Sequence, residues 1–142
     1  MSNPRTRALQ ALIRLRKTEV EQARSAMAAA LAHEQAAIDH TEAQRARIVS
    51  ERAAIDSGGA TMDDFRSWFP LGREAVQKAL MQQHSAEAET EQARKVLMEA
   101  NGALKAAETL LETRLKEEKD LRERREMAEI DDLSRRNRMA TP

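Results

Sequence analysis

The feature that most constrains what this chain folds into is a repeat of seven. One heptad position runs through Ile13, Val20, Met27, Glu34, Thr41, Ile48 and Ile55, and its companion through Leu9, Arg16, Ala23, Ala30 and Ala37, with Leu31 and Ile38 close beside it. The same rhythm returns in Ala93, Leu97, Ala100, Leu104, Ala107 and Leu111. A 4–3 spacing held this long describes a coiled-coil seam rather than a helix laid on a globular core. Arg16, Glu34 and Thr41 interrupt the first seam and make it weak. The segment from Ala26 to Ala37 is rich in alanine, and small residues let helix axes approach closely.

Composition supports helix over the two alternatives, a globular core and disorder. The 142 residues suit one domain by length, but they include only two Phe, one Trp and no Tyr. Ala, Leu, Glu, Arg, Lys and Gln dominate, and these are the best helix formers. A 34% charged fraction and a mean hydropathy of −0.71 also suit a disordered chain. Zero formal net charge, a 41% apolar fraction and the periodicity itself argue against disorder.

Stop and start signals divide the chain. Asn3 reads as an N-cap with Pro4 at the first helical position, which predicts helix 1 over about 4–56. Gly58 and Gly59 follow Asp56-Ser57 and supply the left-handed conformation that a helix end favours. Thr61-Met62-Asp63-Asp64 resembles a capping box with Asp in place of the usual Glu or Gln. A short aromatic helix through Phe65, Trp68 and Phe69 is expected to end at Pro70, so that 57–72 forms a turn and short helix. The three aromatics read as a plug for the end of the hairpin, with a docking patch as the alternative. Helix 2 is expected over about 73–138, continuous through Asn101-Gly102 because the Ala–Leu seam keeps its phase from Leu97 to Leu104. The fold class is therefore all-α, a long two-helix antiparallel coiled-coil hairpin forming a single domain. At ~1.5 Å per residue the helices would be roughly 80 and 100 Å long, so helix 2 should just cover the start of helix 1 or project beyond it.

From Lys116 to Arg138 the chain carries eight Lys/Arg and eight Asp/Glu. Glu118–Arg122, Asp120–Arg124, Asp131–Arg135 and Asp132–Arg136 have the favourable order for i,i+4 pairing. Met127, Ile130 and Leu133 form an apolar strip among these charges, where helix 1 has few residues left to cover them. The strip, with Arg124, Arg125, Arg135, Arg136 and the N-terminal Arg5, Arg7 and Arg14, makes up the candidate partner-binding set. An apolar strip ringed by charge supplies desolvation and orientation together.

Catalytic and cofactor chemistry finds no foothold. Cys is absent, so thiolate metal sites and Cys nucleophiles are excluded. His33-Glu34 opens like a zinc-protease helix, but Ala37 stands where the second His is needed. His33 and His40 lie about 10 Å apart along a helix, and a His40–His84 pair lacks further ligands. No phosphate-binding glycine loop and no nucleophile elbow is present. The basic cluster Arg5, Arg7, Arg14, Arg16 and Lys17 is too short for a nucleic-acid stripe, and the total charge offers polyanions nothing. No cofactor is expected. The first residues hold no apolar run suited to a signal peptide, and no stretch approaches the ~20 apolar residues that span a bilayer. A cytoplasmic location follows as the expectation, with at most peripheral contact with the inner membrane through partners.

The order of segments resembles a known family. A basic first helix carries Leu12-Ile13-Arg14-Leu15-Arg16. A glycine turn and the segment from Phe65 to Gln83 follow. The charged end reads Glu129-Ile130-Asp131-Asp132-Leu133-Ser134-Arg135-Arg136. This is similar to FliJ, the flagellar type III export family, and its injectisome relatives of the YscO type. There a Lys-x-x-x-Asp-Glu run precedes an apolar residue and basic residues; here Asp131-Asp132 replaces Asp-Glu. The resemblance implies a non-enzymatic, central-stalk-like protein seated in a hexameric export ATPase, coupling it to the export-gate membrane protein and handling export chaperones. That role calls for a monomer. A structural coiled-coil adaptor or holdase-like chaperone with no ATPase partner is the other reading, and would favour a homodimer through the same seams.

Overall fold

The structure, a computed structural model, describes residues 3–140. Two helices, α1 (Pro4–Asp56) and α2 (Met62–Ala140), pack against each other as a hairpin, with no strand among the described residues. Each boundary has a local cause. The Asn3 side-chain oxygen accepts the Arg5 N–H at 3.0 Å, and its carbonyl accepts the Arg7 N–H at 3.0 Å. Asn3 thus caps α1 and Pro4 takes the first position, where a missing N–H has no consequence. At the other end Gly59 N–H reaches the Ala54 carbonyl at 2.9 Å and Gly58 N–H the Ile55 carbonyl at 3.1 Å. This is a Schellman motif, and its left-handed residue is Gly58 at φ +79°. Thr61 then caps α2, its hydroxyl accepting the Asp64 N–H at 3.2 Å.

One boundary differs from the sequence expectation. The short aromatic helix does not stop at Pro70; it is the first part of α2, which continues unbroken through Pro70 and Gly72. A proline in a helix interior removes one hydrogen bond and crowds the carbonyl four residues back, at about 3 kcal/mol. Here Pro70 and Arg66, whose carbonyl loses its donor, are both exposed residues, which places the lost bond on the solvent side of the helix. Contacts spanning the proline offset the rest: Phe65 stacks on Phe69 with centroids 5.2 Å apart, Trp68 reaches forward to Gly72, and Arg47 of α1 lies over the Trp68 ring at 5.3 Å. α2 is also continuous helix across Asn101-Gly102.

α1 and α2 pack in two compact units, Met1–Val20 with Ala100–Pro142, and Glu21–Glu99. In the second unit the pairing is antiparallel: Ala30 meets Thr90, and Arg47 meets Trp68. Its seam is narrow. From α2 come Gly72, Ala79 and Ala86, buried at seven-residue intervals, with Val76, Gln83 and Leu97 half-buried between or after them. Across from them α1 sets Ala23 and Thr41, both buried, and the half-buried Met27, Ala30, Ala37, Ile48 and Ile55. Thr41 is thus a full member of the seam. Its hydroxyl donates to the Ala37 carbonyl at 3.0 Å, which removes the cost of burying it. The Thr90 hydroxyl is within reach of the Ala86 carbonyl (3.1 Å) and, across the seam, that of Ala30 (3.3 Å).

In the first unit Thr6, Ile13 and Val20 are buried and Leu9 and Arg16 half-buried, against buried Ala107 and half-buried Leu104, Leu111, Arg114 and Glu118. The Arg16 interruption is handled locally, its guanidinium 2.9 Å from Glu19. The seam closes where Thr6 donates to Glu118 at 2.9 Å. Beyond Glu118, residues 119–140 are exposed except for half-buried Ser134.

The two helical glycines of α2 should respond oppositely to alanine. A Cβ on Gly102 meets nothing within 4 Å, so Gly102→Ala should stabilise by about 1 kcal/mol, the helix-propensity difference. A Cβ on Gly72 would lie 2.7 Å from Cη2 of Trp68, so the indole must leave its seat. Gly72→Ala should destabilise by about 1–2 kcal/mol net despite the better propensity. Thermal or denaturant unfolding of the two variants checks both signs.

Candidate docking surfaces

The strip foreseen at the end of α2 is present and open: Met127, Ile130 and Leu133 retain 58%, 55% and 58% of their accessible surface. As expected, α1 has few residues left to cover them: residues 119–140 are exposed except Ser134, Leu121 on the seam line included, and helix phase adds a second cause. The α2 seam positions run 104, 107, 111, 114 and 118, and the same register continues to Leu121, Arg125, Ala128 and Asp132. Met127, Ile130 and Leu133 fall between these positions, with Ile130 about half a turn from the seam line. They lie on the outer face of α2, and a longer α1 would not cover them.

The basic residues distribute over three places. Arg124 borders a shallow depression on α2 with Met127, Asp120 and Asp131. Arg125 lines a groove between the helices with Asn3, Thr6, Gln10, Leu115 and Leu121. Arg5 lines a second groove with Ala8, Leu9, Leu110, Thr113 and Arg114, and Glu117 completes it. Arg7 and Arg14 are exposed on α1, turned away from the seam. Arg135 is exposed, and Arg136 pairs with Asp132 at 3.2 Å as the sequence order anticipated. Glu118 instead accepts the Thr6 hydroxyl and lies 3.8 Å from Nε of Arg114.

Sequence reasoning passed over Arg114. Its side chain is only 28% exposed, and its Nε is buried with no hydrogen-bond acceptor. The signal was available: Ala79, Ala86, Ala93, Ala100 and Ala107 recur every seven residues, and Arg114 is the next member of the column.

The zero net charge conceals an uneven distribution. The unit of Met1–Val20 and Ala100–Pro142 holds fifteen Lys/Arg against eleven Asp/Glu, an excess of four positive charges. The Glu21–Glu99 unit holds nine against thirteen, an excess of four negative charges. Charge of one sign on a binding surface speeds encounter with a partner of the other.

Two of the three histidines lie beside carboxylates at the surface. His33 Nδ1 lies 3.2 Å from Glu89 across the seam, and His84 lies 3.5 Å from Glu87. Among the described residues no three His, Asp or Glu side chains converge as metal ligands, and no helix is long and apolar enough to cross a membrane.

Two long helices and a thin seam define a coiled-coil hairpin with exposed strips and grooves near its chain ends. The family model described as Flagellar FliJ protein matches residues 5–140, and the chain belongs to that family. It is therefore a flagellar, export-associated component, from a family of non-enzymatic structural proteins. No curated protein and no solved structure matches it.

Proposed function

We propose that this chain is a central-stalk-like component of the flagellar type III export apparatus, which binds the export ATPase through its paired ends and couples it to the export gate. The observation that carries this reading is the run of α2 past the last seam contact, Thr6–Glu118, as exposed helix bearing Met127, Ile130 and Leu133. A helix does not hold an apolar strip in water for its own stability; a partner that covers the strip gains its desolvation. The four-charge positive excess of that unit favours an acidic partner surface and fast association. Coupling would follow from the continuous helix of α2, which has no break in 79 residues to absorb a push. Escort chaperones of export substrates are further partners in this reading, and the protein acts in the cytoplasm.

The test mixes the purified chain with the cognate export ATPase and reads complex formation, ATP hydrolysis and solution mass. The expected result is a monomer that binds and stimulates hydrolysis. A stable homodimer that neither binds nor stimulates would support a structural adaptor instead.

A further inference from the structure

We propose that two copies of this chain pair reversibly through oppositely charged faces, the basic first part of α1 in one copy against an acidic stretch of the Glu21–Glu99 unit in the other. The inference goes beyond the export reading and does not rest on it. The four-charge excess of each unit is concentrated in place. Residues 1–20 hold five Lys/Arg against Glu19 alone. Arg16 takes Glu19, while Arg5, Arg7, Arg14 and Lys17 are exposed and have no ion-pair partner among the described residues. In the other unit, residues 25–44 of α1 and 79–93 of α2 carry six Asp/Glu and no Lys or Arg. The two stretches face each other, since Ala30 meets Thr90 and His33 meets Glu89, so their carboxylates add to one acidic region. Of the six, only Glu91 reaches a basic residue other than histidine, Arg94 at 3.5 Å. Each face also carries an exposed leucine, Leu15 at 53% and Leu31 at 46%. Helix phase puts Leu15 with Arg7 and Arg14 on the side of α1 away from the seam, and Leu31 on one side with Asp39 and Glu42. A second copy supplies the complement of both faces: carboxylates and a leucine for the basic one, guanidiniums and a leucine for the acidic one. Such an exchange is reciprocal and closes at two copies. Zero net charge leaves no overall repulsion between copies to oppose it. Pairing covers Arg7 and Arg14, so a paired chain withholds two members of the candidate partner-binding set.

The experiment measures the solution mass of the full chain by sedimentation equilibrium at about 0.02 M and about 0.5 M salt, where charges are felt over roughly 20 Å and roughly 4 Å. The expected result is a dimer that builds with concentration at low salt and dissociates at high salt, its Kd weakening by about tenfold or more. The monomer that the export reading calls for is then the form that dominates as salt rises. Two double variants assign the faces: Arg7→Glu with Arg14→Glu, and Asp39→Lys with Glu42→Lys. All four positions are exposed, so helix content should be unchanged. Each variant alone carries two faces of one sign and should stay monomeric at low salt. An equal mixture of the two should pair again, as a mixed dimer. A monomer at both salt concentrations, a dimer as tight at high salt as at low, growth beyond two copies, or a mixture that stays monomeric would each overturn the proposal. The ATPase takes no part in these measurements, so the export reading stands or falls separately.

Discussion

Removing residues 124–142 is expected to abolish stimulation of the export ATPase while leaving the hairpin folded. The seam's last contact, Thr6 with Glu118, lies before the cut, and so do buried Ala107 and half-buried Leu111. What is lost is exposed helix, including Met127, Ile130, Leu133 and Arg136 with its Asp132 pair. Exposed ion pairs contribute only ~0–1 kcal/mol each, so the unfolding midpoint should move by no more than about 2 °C. Helix content should fall only by the residues removed. The apolar strip proposed to meet the partner, by contrast, is removed entirely, while Arg5, Arg7 and Arg14 on α1 remain.

Trp68→Ala is the matching control. Trp68 is half-buried, faces Phe65 with centroids 6.2 Å apart, and lies under Arg47 of α1. Its loss should cost about 2 kcal/mol, less than the 3–5 kcal/mol of a fully buried Trp, with little effect on stimulation. Thermal unfolding and ATP hydrolysis measured on both variants separate the two roles. Full stimulation by the truncated chain, with loss in Trp68→Ala, would move the interaction to the hairpin tip.

Most of the architecture was legible because a seven-residue period leaves little freedom. Every α1 seam position read from Leu9 to Ile55 is buried or half-buried, including Glu34 and Thr41. The caps at Asn3, Gly58 and Thr61 were legible for a similar reason, since each is a local solution to unpaired backbone groups. Pro70 was not. Propensity counts its lost hydrogen bond, but cannot count the aromatic contacts spanning it or the exposure of Arg66. Helix length foretold the exposure of the apolar strip, since even seam-line Leu121 is exposed, but its outer-face phase went unread. Arg114 escaped notice because a single charge in an alanine column looks like one more surface arginine until its burial is known.

The narrowness of the seam leads to the largest stability effect. Ala86 has 0% of its surface accessible and Ala79 1%, and Gly72 completes the column on the same face of α2. Leucine is the usual choice at a coiled-coil core position and has nearly the helix propensity of alanine, so sequence rules alone would rate Ala86→Leu neutral or favourable. The packing says the reverse. Thr90, one turn on, has its hydroxyl 3.3 Å from the Ala30 carbonyl of the other helix, and a backbone approached that closely leaves no room for three added carbons beside it. Leucine at 86 would push α1 away, break that contact and leave Thr90 with only its own helix's Ala86 carbonyl. Overpacking of this kind costs about 1–3 kcal/mol in cores that can relax. Here two helices form the whole core of the unit, and separating them exposes Ala23, Met27 and Ala30 as well, so about 3 kcal/mol or more is expected. Ala88→Leu, on the exposed face of the same helix, should change stability by less than about 0.5 kcal/mol. Denaturant unfolding of the pair reads the difference directly, and equal stability for the two variants would mean that the helices are not held at alanine distance.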